Sequence, residues 1–198
     1  VWGGVLHQTA VRGGAPFRLG WRLRPWTLAL GRLDATARLA APGLAAAGRG
    51  AWHLPTSTLV LRGVEAQGAA AGLGEILGLP VGLGGELTLD VTHLRLSAAE
   101  PPSGRGRLDW RGAGISTEPR LDLGDVRGEL DGSRLQIVGR GGQVDVDGEI
   151  QLTAGPAYRL NLVLAPTAGA DPGTVGLLRA LAGAPREGRY VLRHEAAP

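Results

Sequence analysis

The chain has four histidines, His7, His53, His93 and His194, and no two stand in a His-x-His or His-Glu-x-x-His relation. Such spacings let one strand or helix offer two imidazoles to a metal; scattered histidines need the fold to gather them, so no metal site is expected. Ser57, Ser97, Ser103, Ser116 and Ser133 lie outside any Gly-x-Ser-x-Gly elbow, and the absence of cysteine closes the thiol route. Asp145, Asp147 and Glu149 share one face of a strand, and Asp145-Val146-Asp147-Gly148 is superficially similar to a calcium loop. A calcium-binding helix-loop-helix needs a third ligand before the glycine and a glutamate beyond it, both missing here, so the acids read as a solvated strand face opposite Val144 and Val146. No catalytic residue, cofactor or metal is expected.

Other short motifs resolve into turns. Arg12-Gly13-Gly14 and Arg140-Gly141-Gly142 are single Arg-Gly-Gly copies flanked by strand pattern, as hairpins are, and Gly104-Arg105-Gly106 opens a strand where a dinucleotide cradle would open a helix. All 21 basic residues are arginine, yet 18 carboxylates hold the net charge to +3, so the pI near 10.4 reflects how little arginine deprotonates. Nucleic acid is therefore not an expected partner. No stretch approaches the roughly 20 apolar residues that a bilayer-spanning helix needs. Of the five tryptophans, Trp26 follows Pro25 out of phase with Trp21 and is the expected exposed contact. Together with Arg22, Arg24 and Arg111 it makes a candidate interaction surface, since tryptophan and arginine are favoured at binding hot spots.

The elements that carry these residues are strands. Phe17, Leu19, Trp21 and Leu23 alternate with Arg18, Gly20, Arg22 and Arg24, and the same period of two recurs in Leu33/Ala35/Ala37/Leu39, Leu87/Leu89/Val91, Val144/Val146 and Tyr158/Leu160/Leu162/Leu164. The phase slips between Val91 and Leu94, which predicts a bulge near Thr92-His93. Turns are expected at Gly13-Gly14, Gly48 to Gly50, Gly84-Gly85, Gly104 to Gly106, Gly112 to Gly114, Asp131-Gly132 and Gly139 to Gly142. Two segments switch to helical spacing. One spans about 66–77, with Leu73, Ile76 and Leu77 apolar, Gly78 as cap and Pro80 beyond. The other spans 171–182, with Asp171 as N-cap, Pro172 at the first position and Gly183 as the stop.

The pattern also repeats. Arg18-Leu19-Gly20-Trp21-Arg22 returns as Arg107-Leu108-Asp109-Trp110-Arg111, 89 positions later (107 − 18), and the offset grows to 103 (162 − 59) by the strands around Leu59 and Leu162. Insertions in loops are the expected cause. The chain thus reads as two β-rich repeats, 1–100 with the helix near 66–77 and 104–198 with the helix near 171–182, sharing one continuous sheet. Trp21 and Trp110, with Tyr158 and Tyr190, are the expected core anchors of the repeats. The expected fold is mainly β, an antiparallel meander folded as a sandwich or half-barrel, because two short helices cannot cover so many one-faced strands.

In order along the chain, Val1-Trp2-Gly3-Gly4, Trp21-Arg22-Leu23-Arg24-Pro25, Leu30-Gly31-Arg32-Leu33, the segment from Leu77 to Leu89, Gly106-Arg107-Leu108-Asp109-Trp110, Leu123-Gly124, Gly148-Glu149-Ile150-Gln151-Leu152, Tyr158-Arg159-Leu160 and Gly188-Arg189-Tyr190 resemble the type II secretion system protein N family. The resemblance implies an accessory subunit on the periplasmic face of a Gram-negative inner membrane. It would be anchored by one N-terminal transmembrane helix absent from this sequence and without catalytic residues. Its implied partners are other inner-membrane secretion subunits or the outer-membrane channel. A different class of function is open to the same residues: an apolar β trough with rim arginines could carry a lipid or glycolipid.

Overall fold

The computed structural model describes residues 2–8, 17–77, 82–116, 120–154 and 157–196, with the side chains of 6–8, 74–77 and 196 outside the description. Twelve strands follow one another: β1 (Trp2–Gln8), β2 (Phe17–Arg24), β3 (Arg32–Ala41), β4 (Leu44–His53), β5 (Thr58–Ala69), β6 (Gly82–Ser97), β7 (Ser103–Ser116), β8 (Leu121–Gly132), β9 (Arg134–Arg140), β10 (Val144–Leu152), β11 (Tyr158–Pro166) and β12 (Tyr190–Ala196). They form one antiparallel meander in which each strand pairs only with its neighbours in sequence, and β1 and β12 are left as open edges. A 3-10 helix, Pro25–Leu30, joins β2 to β3. Helix α1 (Ala70–Leu77) joins β5 to β6, and α2 (Pro172–Ala182) joins β11 to β12.

Successive side chains of a strand point to opposite faces, so the register assigns every residue to a side. The row Leu19, Leu39, Ala46, Ala66, Leu89, Leu108, Gly128, Ile137, Gly148, Leu162, Leu192 crosses β2 to β12 without one polar side chain. One position along, Arg38, Ala47, Glu65, Asp90, Arg107, Glu129, Gln136, Glu149, Asn161 and Arg193 run across the other face. The alternation seen in sequence is therefore one apolar face and one charged face over the whole sheet. Cross-strand ion pairs bind the charged face together: Arg107–Glu129 at 3.2 Å, Arg105–Asp131 at 3.6 Å, Arg127–Asp109 at 3.6 Å and Arg159–Glu195 at 2.9 Å. Such exposed pairs contribute about 0–1 kcal/mol each and act mainly to hold register.

The main packed core lies under α2. Leu178, fully buried, sits among Val144, Val146, Leu164, Leu121 and Tyr190. The helix starts as its sequence dictates: the Asp171 carboxylate accepts from Thr174 N at 2.9 Å and from Thr174 Oγ1 at 2.9 Å, and Thr174 Oγ1 bonds Gln143 Oε1 at 2.7 Å across to the β9–β10 turn. These bonds hold the Asp171 carboxyl below the ordinary carboxylate range, the Thr174 backbone N–H contributing most. α1 begins at Ala70 and not near 66, because residues 66–69 continue the β5 ladder as far as Ala69, opposite Glu86. Gly78 and Pro80, its expected stop, and the Gly13-Gly14 turn lie outside the described residues.

Several glycine pairs are not turns. Gly48 and Gly50 lie inside β4, Gly84 and Gly85 inside β6, Gly104 and Gly106 inside β7, and Gly112 to Gly114 also inside β7. Their role is close approach and bulging: the register slips between Gly84 and Glu86, and a Cβ on Gly85 (φ +92°) would fall 2.3 Å from the Arg111 carbonyl oxygen. Asp131-Gly132 and the Gly141-Gly142 region do mark hairpins, and the bulge near Thr92 is present as a register shift between Val91 and His93. The growth of the repeat offset is likewise not a matter of loops. The Trp21 and Trp110 copies lie on β2 and β7, five strands apart, whereas α1 and α2 follow β5 and β11, six apart; one whole strand separates the two offsets.

Candidate functional site

The 3-10 helix Pro25–Leu30 was not foreseen, and it shapes one end of the sheet. Pro25 supplies a fixed φ at the first helical position, and Gly31 (φ +70°) ends the turn with its N–H on Leu28 O at 2.9 Å. Thr27, buried beneath it, donates to Arg24 O at 2.6 Å and accepts from Asp34 N at 3.2 Å, while Leu54 N–H reaches Gly31 O at 3.0 Å. With Thr27 turned inward, Trp26, Leu28 and Leu30 face outward, 56, 46 and 73 % exposed. Trp2 pairs with Leu23 at the end of β2, and Trp52 and Leu54 close the β4–β5 hairpin beside Arg32, so these exposed side chains share the same end. α1 and α2 stand at the opposite end, beyond Ala69 and against the β9–β10 turn.

Between that end and the helices, the apolar face of β2–β5 is open. Leu19, Leu33, Leu39, Trp52, Leu59, Leu61 and Val64 line a groove of about 380 Å³ whose floor is made shallow by Ala35, Ala37, Ala46, Gly48 and Gly50. The small residues leave room; the leucines make the lining almost entirely hydrocarbon.

Of the candidate surface residues, Arg22, Arg24 and Trp26 fall on β2 and the 3-10 helix that follows it. Arg111 is five strands away on β7, opposite Glu86, so the four do not form one patch. Trp21 and Trp110 both lie half-buried on the apolar face in different company: the Trp21 ring covers Gly4 of β1, and Trp110 Nε1 donates to Gly84 O at 2.8 Å. Tyr190 is buried in the α2 core, and half-buried Tyr158 meets His194 with ring centres 5.9 Å apart. Leu28, Leu30, Trp52 and Leu54 were missed by sequence reasoning; their signal was apolar residues packed against turn formers in Pro25-Trp26-Thr27-Leu28 and Trp52-His53-Leu54-Pro55.

Two of the acids of β10, Asp147 and Glu149, are paired with arginines of β9. Asp147 takes both oxygens of a bidentate contact from Arg140 Nη2 (2.7 and 2.9 Å), and Glu149 pairs with Arg134 at 3.4 Å. The Asp147 contact holds the Arg140 guanidinium above its already high range. Among the described residues no group of three or more histidines and carboxylates is placed to hold a metal, and no helix is long and apolar enough to cross a membrane.

A family model for type II secretion system protein N matches residues 1–193. The chain belongs to that family. Its match spans the whole sheet and not one motif, in keeping with a resemblance carried by the order of many short segments. As a protein N, the chain is a component of the type II secretion system. Comparison with curated proteins and with solved structures returned no match.

Proposed function

We propose that this protein N is a non-enzymatic accessory subunit that works at the periplasmic face of the inner membrane by holding other secretion subunits, of the inner membrane or of the outer-membrane channel. The observation that carries this reading is an open sheet with two unpaired edges and an apolar face left uncovered over β2–β5. Open edges accept strands and uncovered hydrocarbon accepts side chains, whereas among the described residues no gathered nucleophile, base or metal cluster offers chemistry. A photo-crosslinking residue placed at Leu61 in the groove, or at Val5 on the β1 edge, should trap secretion subunits in intact membranes. Crosslinks that do not differ from those made by a probe at Arg127, on the charged face, would refute it.

A second reading, a lipid or glycolipid carrier, is favoured by the hydrocarbon lining of the groove, where a volume of about 380 Å³ suits part of an acyl chain. Mass spectrometry of gently extracted protein should then release lipid, and Leu61→Asp should abolish it. The same proposal takes the sheet as two six-strand units, β1–β6 and β7–β12, each with a helix before its last strand.

A further inference from the structure

We infer that the end of the sheet carrying the 3-10 helix is a docking tip for an anionic lipid bilayer. Two independent observations converge on it. Among the described residues, six of the nine large apolar side chains that stand exposed are gathered at this one end: Trp26, Leu28 and Leu30 on the 3-10 helix, Leu54 in the β4–β5 hairpin, and Trp2 and Trp52 at the strand ends of β1 and β4 beside them. Charge is segregated in the same direction: residues 17–69, from the start of β2 to the end of β5, hold seven arginines and two carboxylates, Asp34 and Glu65, a net +5, while the remaining 14 arginines face 16 carboxylates, a net −2.

A chain whose net charge is only +3 has thus concentrated its positive charge on β2–β5, directly behind the apolar tip. Among the described residues, Arg22, Arg24, Arg38, Arg49 and Arg62 have no carboxylate within 4.0 Å, whereas Arg105, Arg107, Arg127, Arg134 and Arg140 of β7–β9 are tied up in cross-strand pairs. Indole side chains suit the boundary between hydrocarbon and headgroup, where the ring is buried and the N–H stays wet, and arginines just above that level meet lipid phosphates. A protein surface with acidic side chains would satisfy the arginines but leaves three exposed tryptophans and three exposed leucines at one end of the sheet without a reason. A bilayer interface satisfies both sets at once. Trp52 belongs to the tip and also lines the groove, so docking brings the tip end of the open apolar face of β2–β5 to the membrane.

The test is sedimentation of the 198-residue chain with vesicles of equal parts phosphatidylcholine and phosphatidylglycerol, with tryptophan emission as a second readout. The chain should bind these vesicles with a blue shift and bind pure phosphatidylcholine more weakly. The double variant Trp26→Ala, Leu30→Ala should lose about tenfold or more in partitioning, and Arg22→Gln and Arg24→Gln about fivefold each at low salt. All four side chains are exposed, so melting temperature should not move. Leu181→Ala, on an exposed side chain at the opposite end, should bind as the parent does. No vesicle binding, or equal loss in the Leu181 and tip variants, would overturn the inference. Retention on immobilised polyglutamate without vesicle binding would overturn it too, assigning the arginines to a protein partner.

Discussion

Leu178 of α2 and Leu61 of β5 both lie on the apolar side of the sheet, yet their truncation should cost very different amounts. Leu178 has no exposed surface and is enclosed by Val144, Leu164 and Tyr190 beneath α2. Replacing it with alanine removes its transfer energy and leaves a cavity, because three strands and a helix cannot all move inward; the cost is about 3 kcal/mol and up to about 5. For a chain of this length about 3 °C accompanies each kcal/mol, so melting should fall by about 9 °C or more. Leu61 lines the open groove and has neighbours only from β4 and β6 and no covering layer. Its truncation enlarges a space that already reaches solvent, so no cavity is created and only part of the transfer energy is lost, about 1 kcal/mol. Thermal and urea unfolding followed by circular dichroism would measure both. Equal costs for Leu61→Ala and Leu178→Ala would mean that the β2–β5 face is a packed interior, and the groove on which the functional reading depends would not exist.

A contrast between two glycines tests the sheet's close approaches. Gly68 (φ +147°) would place a Cβ 1.9 Å from the Gly43 carbonyl oxygen, so Gly68→Ala should lower stability by about 3 kcal/mol or more, while Gly63→Ala, with φ +54° and open space, should cost about 1 kcal/mol, both read from urea midpoints. The Asp171 carboxyl is held below its ordinary range by the Thr174 and Gly173 N–H groups, the Thr174 hydroxyl and Gln143. The stability it adds is therefore present above about pH 4 and is lost as pH falls through its folded-state value. The melting-temperature gap between the parent and Asp171→Asn, which keeps a capping oxygen without the charge, should close on acidification; a gap independent of pH would refute the assignment.

Much of the fold was legible because a period of two is a strong local signal wherever one face must avoid water. Phe17 to Arg24 and Tyr158 to Leu164 alternate cleanly and are β2 and β11. Asp171, Pro172 and Gly183 bracket α2 because caps are chosen by backbone geometry that involves few other residues. Gly48, Gly85 and Gly112 misled because a glycine that permits a turn and a glycine that lets two strands touch have the same letter. What separates them is the neighbour across the ladder, which no local window contains. The tip was hidden for a related reason. Trp2, Trp26 and Trp52 are far apart in the chain, and only the registers Trp2 with Leu23 and Arg32 with His53 bring them to one end. The charge segregation was visible in the chain from the start, but it acquired meaning only when residues 17–69 proved to be adjacent strands.

Because every pairing in this sheet joins strands adjacent along the chain, no strand waits for a distant partner before it can form. A polypeptide delivered N-terminus first into its compartment can zip each hairpin onto the last as it emerges, so that at every moment one fresh ladder of donors and acceptors stands ready for the next arrival. Growth of that kind needs no terminus of fixed length, and it makes the family's architecture easy to lengthen by a single strand, the increment that separates the two offsets within this chain.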